Sequence, residues 1–147
     1  MSSERHTIRV ECLSHYKMVD VVEALSDHLA LTSGADDDSK QQIGLALREG
    51  MVNAIKHGNK EDTTKNVTVE FTLEPLENPT TLSIRIIDQG AGFDPDDVAD
   101  PLASDNVLKT SGRGLLFMRS FMDEVSLQRV PDGGMEVRLV KKLSPSK

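Results

Sequence analysis

The sequence predicts an α+β fold, a two-layer sandwich in which a mixed, mostly antiparallel sheet carries helices on one face. The predicted order is strand, helix, helix, strand, strand, long loop, helix, strand, strand. Strands joined in pairs by short connections, without crossover helices, favour antiparallel neighbours and a separate helical layer. With 147 residues and no internal repeat or linker, residues 1–147 are expected to form a single domain around one core.

The first two elements are predicted from two different periodicities. Residues 7–13, TIRVECL, alternate apolar and polar side chains and place Ile8, Val10 and Cys12 on one face of a half-buried strand. A helix follows from about Lys17 to Leu31. Its apolar face is predicted from the helical spacing of Val21, Leu25, His28 and Leu29.

A second helix is predicted from about Ser39 to His57. The acidic residues 36–38 precede it, where negative charge is favourable against the helix dipole, so they need not be a metal site. Gly58 follows as a helix-stop signal. The predicted core stripe of this helix consists of Ile43, Leu47, Gly50, Met51 and Ala54.

Two pairs of strands account for most of the remaining chain. Residues 67–74, VTVEFTLE, and 81–88, TLSIRIID, alternate in polarity and are joined by the short connection PLENPT. They are therefore expected to pair antiparallel. Residues 125–130 and 135–143 flank the turn PDGG and form the second predicted pair.

Composition and charge exclude several classes of protein. A net charge of −7 argues against binding to a nucleic acid backbone, which requires a basic face. The sequence has no apolar run of membrane-spanning length, and residues 1–10 lack the apolar stretch of a signal peptide. A cytoplasmic protein with neither membrane nor direct nucleic acid partners is expected. Cys12 is the single cysteine, so the chain cannot form an internal disulfide.

Glu49, Asn53 and His57 are the first candidate functional residues. They are spaced four apart, so in a continuous helix they form a shallow stripe at the edge of the apolar face. One interpretation is a solvated boundary stripe. The other is a functional rim, because the amide of Asn53 costs some helix propensity and offers an oxygen that Mg²⁺ accepts.

The second candidate is the stretch IIDQGAGFD, residues 86–94. Asp88 has the parity of the core-facing residues of its strand, so its carboxylate would need hydrogen-bond donors. An adenine amino group could be one donor, and Gly90 and Gly92 would let a ring approach the backbone. A strand that ends in a polar, glycine-rich turn explains the pattern equally well.

The third candidate is TSGRGLLFM, residues 110–118. The preceding stretch 89–112 lacks periodicity and is longer than most loops, and a helix is predicted from about Arg113 to Asp123. Gly112 and Gly114 would then open that helix, where backbone N–H groups attract phosphate. Arg113 could neutralise phosphate or be an ordinary exposed charge. The sequence contains no P-loop, no eukaryotic-type kinase motifs and no H-E-x-x-H motif.

Together, E-x-x-x-N on a helix, D-x-G-x-G-F after a strand and G-x-G at a helix resemble the GHKL ATPase superfamily, which has the Bergerat fold. Within it the chain is most similar to the bacterial anti-sigma factor serine/threonine kinases of the sporulation and general-stress type. REGMVNAIKHGNK, IIDQGAGFDPDDV and SGRGLLFMRSFMDEV carry the resemblance, which extends roughly from Ile8 to Leu143.

The resemblance implies a role for each matching residue. Glu49 would be the catalytic base, Asn53 the Mg²⁺ ligand and Asp88 the adenine reader, and residues 94–111 would form the ATP lid. Some sporulation-type members have arginine where this chain has Thr110, which leaves open the basic residue at the γ-phosphate. The implied nucleotide-binding residues are Asn53, Asp88, Gly90, Gly92, Phe93, Lys109, Thr110, Ser111, Gly112, Arg113, Gly114 and Leu115.

The implied function is that of an ATP- and Mg²⁺-dependent serine kinase that binds and inhibits a sigma factor and phosphorylates an anti-anti-sigma (STAS-type) antagonist. Related proteins often form dimers, so a homodimer is compatible with the resemblance. An alternative, motivated by Thr110, is an ATP-binding module that sequesters a partner without kinase activity. A third is the catalytic half of a histidine kinase with His28 as phosphoacceptor, although its helix is expected to serve core packing.

Overall fold

The computed structural model describes residues 5–74, 81–90, 106–131 and 133–143, with the backbone alone for residues 106–113. This part of the chain forms one sheet, three α-helices and one π-helical turn. The elements are β1 (His6–Leu13), α1 (Lys17–Thr32), α2 (Asp37–Asn53), the π-turn (Ala54–Gly58), β2 (Asn66–Glu74), β3 (Thr81–Ile87), α3 (Asn106–Phe121), β4 (Glu124–Arg129) and β5 (Met135–Lys142).

The sheet confirms the predicted α+β sandwich. Its strand order is β1-β2-β3-β5-β4, and all of the strand pairs in the described residues are antiparallel. Val69 lies opposite Ile86, and Ile86 lies opposite Val137, so the apolar side chains of neighbouring strands meet on the same face. This register fixes the core face of the sheet because a slip of one residue would turn that face to solvent.

The core lies between that face and the helices. Strand residues such as Phe71 and Ile84 share one buried cluster with Leu47 and Met51 of α2 and Met118 of α3. Burial of a side chain of this size stabilises the fold by about 2 kcal/mol. The described parts of the chain therefore share one hydrophobic core.

The predicted apolar face of α1 is only partly right. Leu29 is buried and Leu25 packs against the core, as predicted, whereas Val21 is 56% exposed and His28 is exposed. Val22 and Ser26 are buried in their place. Two adjacent valines offer two helical phases, and packing of α1 against α2 selects the one with Val22 inside.

α2 begins with a side-chain cap and ends in a π-turn. Asp36 Oδ1 accepts a hydrogen bond from the Ser39 amide at 2.7 Å, which confirms that the acidic run serves the helix start. The α-helix ends at Asn53, and residues 54–58 continue as the π-turn. Because a π-turn has more residues per turn, His57 leaves the predicted stripe and is exposed, whereas Glu49 and Asn53 are half-buried.

The predicted start of the third helix is also wrong. α3 begins at Asn106 rather than near Arg113, so Gly112, Arg113 and Gly114 lie within the helix and not at its N-terminus. Residues 106–111, NVLKTS, contain neither glycine nor proline, and a glycine inside a helix costs only about 1 kcal/mol. The helix can therefore run through both glycines.

No helix among the described residues is both long and apolar enough to cross a membrane.

Candidate active site

A buried carboxylate lies immediately after β3. Asp88 is 7% exposed, and its Oδ1 accepts hydrogen bonds from the amides of Gly90 at 2.9 Å and Met135 at 3.1 Å. Burial raises the pKa of Asp88 above its ordinary value, and these two hydrogen bonds oppose the rise. The predicted inward orientation and the predicted need for donors are both confirmed.

Two close backbone approaches surround this carboxylate. A Cβ on Gly58 would lie 2.2 Å from Asp88 Oδ2, and a Cβ on Gly134 would lie 1.9 Å from the Asp88 carbonyl oxygen. A third approach joins the same segments, because a Cβ on Gly90 would lie 1.9 Å from the Gly58 carbonyl oxygen. Side chains at these glycines would therefore force apart the π-turn, the end of β3 and the β4–β5 turn.

A second cluster lies where α2 faces α3. A Cβ on Gly114 would lie 2.6 Å from Glu49 Oε1 and 2.7 Å from Asn53 Nδ2. Both side chains therefore reach the same place on α3, and their ends fit there because Gly114 has no side chain. The structure brings together these three predicted residues, although Gly114 does so from within the helix.

α2 and its π-turn connect the two clusters. Gly50 packs so closely on β3 that a Cβ there would lie 2.5 Å from Ile86 Cδ1. From Glu49 to Gly58 the helix and its π-turn advance by about 13 Å. His57 precedes Gly58 and is exposed; partial desolvation of its ring lowers its pKa, as do Lys56 and Lys60, whereas Glu49 opposes this effect.

The structure does not place the remaining predicted site residues in either cluster. Leu115 is buried in the hydrophobic core. Gly92 and Phe93 lie outside the described residues, as does most of the predicted lid, although residues 106–111 at its end are helical. The predicted phosphate-binding residues 109–113 lie on α3.

Four residues of this region were not predicted from the sequence as site residues. Gly58, Gly134 and Met135 contact Asp88, and Asn59 binds the amide of the next residue, Gln89, at 2.7 Å. Gly58 belongs to the sequence HGN, which predicts only the end of a helix, and Gly134 belongs to PDGG, which predicts only a turn. The contacts join segments that are distant in sequence.

An antiparallel sheet with helices on one face, a buried carboxylate after a central strand and a Glu–Asn pair on the adjoining helix define the ATP-binding domain of histidine kinase-like proteins. A family model described as the histidine kinase-like ATPase domain matches residues 15–141. The match covers most of the chain.

Individual relatives narrow the class. The anti-sigma F factor of Bacillus subtilis is 36% identical over 112 residues, which cover 75% of this chain and 74% of that protein. The serine-protein kinase RsbW of Bacillus licheniformis is 30% identical over 132 residues, which cover 86% of this chain and 79% of that protein. The chain therefore belongs to the anti-sigma factor serine kinases of the histidine kinase-like ATPase family.

A solved structure shares the fold. The crystal structure of the RsbU and RsbW domains of Rv1364c from Mycobacterium tuberculosis matches with a TM-score of 0.68 and 18% identity, over 96% of this chain and 33% of that one. This chain thus spans about a third of the crystallised chain, which contains both domains.

Proposed function

We propose that this kinase binds and inhibits a sigma factor and phosphorylates a serine of an anti-anti-sigma protein with a STAS domain. The observation that carries the proposal is the convergence of Glu49 and Asn53, both on α2, on Gly114 of α3. The π-turn that follows α2 then places Gly58 against the buried Asp88. The similarity to an anti-sigma F factor and to a serine-protein kinase supports the choice of partners. A homodimer and a cytoplasmic location belong to the same proposal.

Asp88 is proposed to read the adenine ring of ATP. Its Oδ1 is already used by two backbone amides, so Oδ2 is the oxygen left to accept the adenine amino group. Gly90 packs against the Gly58 carbonyl oxygen, and its backbone is proposed to line the base site beside Asp88. Gly92 and Phe93 are proposed to complete the floor beneath the base.

The residues of the second cluster fit a magnesium ion. Carboxylate and carboxamide oxygens are the hard ligands that Mg²⁺ prefers, and Glu49 Oε1 and Asn53 Nδ2 both lie against Gly114, where a turn of the Asn53 carboxamide would present Oδ1 to the ion. Asn53 is the proposed protein ligand. The bound ion would neutralise charge that develops on the phosphates during transfer.

Glu49 is proposed to act as the general base. It accepts the proton of the substrate serine hydroxyl as the serine oxygen forms a bond to the γ-phosphorus. The bond from that phosphorus to the bridging oxygen breaks, and ADP leaves with the electron pair. Because Glu49 and Asn53 lie one helical turn apart, the proton acceptor and the metal ligand are held at a fixed separation.

The phosphates are proposed to bind along α3, at residues 109–114. These residues are Lys109, Thr110, Ser111, Gly112, Arg113 and Gly114. The next residue, Leu115, is proposed to support this segment from the core. A segment of about residues 94–111 is proposed to act as the lid over them. Thr110, where some relatives have arginine, favours a second candidate function, an ATP-gated switch that sequesters its partner without phosphate transfer.

The test is incubation of the purified chain with Mg²⁺, γ-labelled ATP and lysate of the source cells. The expected result is one labelled small protein that carries acid-stable phosphoserine. Glu49→Gln should bind ATP with unchanged affinity by calorimetry but transfer phosphate at least about 100-fold more slowly.

The matched control is Glu124→Gln, which neutralises an exposed carboxylate on β4 and should leave transfer unchanged. Nucleotide binding without any transfer would favour the switch. Acid-labile label on the chain itself would instead indicate a histidine kinase. Transfer at the wild-type rate by Glu49→Gln would remove Glu49 as the base.

A further inference from the structure

Asn59 is a buried polar residue to which the proposed mechanism gives no role. It follows the π-turn directly and is 1% exposed. A buried carboxamide is costly unless its donors and its acceptor are all paired, so the partners of Asn59 indicate what it holds in place.

Asn59 uses both ends of its carboxamide. Nδ2 donates to Ser14 Oγ at 2.7 Å and to the Asn66 carbonyl oxygen at 3.0 Å. Oδ1 accepts the hydrogen bond of the Gln89 amide at 2.7 Å. The Gln89 amide can only donate and the Asn66 carbonyl can only accept, so these partners fix the orientation of the carboxamide.

The Gln89 amide lies between the proposed adenine reader, Asp88, and Gly90, whose backbone is proposed to line the base site. A reciprocal bond strengthens the connection, because the Asn66 amide donates to Gln89 Oε1 at 2.7 Å. The backbone after β3 is therefore fixed on one side by Met135, which binds Asp88, and on the other by Asn59.

We propose that Asn59 is a positioning residue for base recognition: it holds the Gln89 amide and thereby sets where Asp88 and Gly90 meet the adenine ring. The inference rests on the proposed role of Asp88 as adenine reader. In this proposal Asn59 does not touch the base. It acts on Asp88 and Gly90 through its hydrogen bond to the Gln89 amide between them.

The chemistry of the three partners selects asparagine. Aspartate would place an oxygen against the Asn66 carbonyl oxygen, and serine has a single hydroxyl and too short a side chain for three partners. Alanine leaves the Gln89 amide without its acceptor, so the peptide between Asp88 and Gln89 loses one of the bonds that fix its orientation. The Asp88 carboxylate, still bonded to the amides of Gly90 and Met135, is then held less tightly.

The test compares Mg²⁺-ATP with Mg²⁺-ITP by calorimetry, because ITP carries an oxygen where adenine has its amino group. The wild-type protein should prefer ATP by at least about tenfold, the size expected for one hydrogen bond to a charged acceptor. Asn59→Ala should reduce this preference to less than about threefold, whereas a purely structural residue would affect unfolding and leave the preference intact.

Ser14→Ala is the matched control. It removes one partner of Asn59 Nδ2 but leaves the bond to Gln89, so it should lower the unfolding temperature and keep the preference for ATP. A preference retained by Asn59→Ala, or lost equally in Ser14→Ala, would overturn the positioning role alone. Equal binding of ATP and ITP by the wild-type protein would overturn the role of Asp88 and this inference with it.

A measurement on the wild-type protein covers the case in which Asn59→Ala does not fold. Amide hydrogen exchange should show the Gln89 N–H protected by at least about 100-fold, as expected for a buried, hydrogen-bonded amide. Exchange of this amide at the rate of an open loop would contradict the proposal.

Discussion

Asp88 is the residue at which stability and proposed function conflict. A carboxylate that is 7% exposed and bonded through one oxygen is costly to ionise, and burial accordingly raises its pKa. A preformed acceptor for an adenine amino group must be ionised at neutral pH. The ionised, buried Asp88 therefore lowers the stability of the folded protein at the position where the base is proposed to bind.

This conflict predicts the behaviour of Asp88→Asn. A carboxyl whose folded-state pKa is raised costs nothing below its ordinary pKa of 3.8 and destabilises the fold as the pH rises through the raised value. The unfolding temperature of Asp88→Asn minus that of the wild type should therefore increase from about pH 4 to pH 7. ATP affinity should fall by more than about tenfold.

Asp62→Asn is a control with the opposite sign. Hydrogen bonds from the side chain and the amide of Thr64 lower the pKa of this surface carboxyl, so its ionised form stabilises the fold. The unfolding temperature of this variant relative to the wild type should decrease as the pH rises toward 3.8 and stay nearly constant from pH 4 to 7, with ATP affinity unchanged. The same slope for both variants would contradict the assignment for Asp88.

At the scale of elements, the contact between α2 and α3 determines the geometry of the second cluster. Lys141 of β5 connects both helices: its Nζ donates to Gln42 Oε1 and to the Phe121 carbonyl oxygen, each at 2.8 Å. The second bond caps the C-terminal end of α3 with a positive charge, which is favourable against the helix dipole. This connection helps to hold Gly114 against Glu49 and Asn53.

Gly114→Ala should separate stability from activity. Alanine is a better helix former by about 1 kcal/mol, and the atoms that its Cβ would meet are the mobile ends of Glu49 and Asn53. The unfolding free energy should therefore stay constant or increase. Both side chains must move, however, and a displacement of about 1 Å can slow transfer 10- to 100-fold.

Gly44→Ala provides the matched control on α2. A Cβ there would lie 3.4 Å from its nearest neighbours, Asp27 Oδ1 and Glu23 Oε2, which is ordinary contact. It should give a similar gain in stability, measured by denaturant unfolding, with full phosphate transfer. Unimpaired transfer by Gly114→Ala would show that the placement of Glu49 and Asn53 is unimportant.

The elements also show what the sequence could predict. Alternation in β2 and β3 predicts their faces and pairing because a strand with one buried face has one acceptable register. The end of α2 and the start of α3 depend on tertiary packing, so the π-turn was missed and α3 was placed seven residues too late. Asp88 could be predicted from parity, whereas the partners of Asn59 at positions 14 and 89 are 45 and 30 residues away.

On the scale of the whole molecule, the sheet has two different faces. One packs against the helices, and the other carries a row of polar residues from all five strands: Arg9, Glu70, Arg85, Glu136 and Gln128. Arg85 is central, because Nη1 binds Glu70 at 2.6 Å and Nε binds Glu136 at 3.0 Å. This row makes the sheet face opposite the described helices polar, and it reinforces the register that also aligns Asp88 with Met135.

Burial should decide which contacts in the row matter. Glu136 is 4% exposed, so Arg85→Met leaves a buried charge unpaired and should cost about 3 kcal/mol of unfolding free energy. The side chain of Arg9 is 59% exposed, so Arg9→Met should lower the unfolding free energy by less than about 1 kcal/mol. The double variant Arg85→Met/Glu136→Met should recover most of the loss, because an apolar pair replaces a buried ion pair at little cost. Denaturant unfolding measures all three, and equal losses for Arg9 and Arg85 would refute burial as the cause.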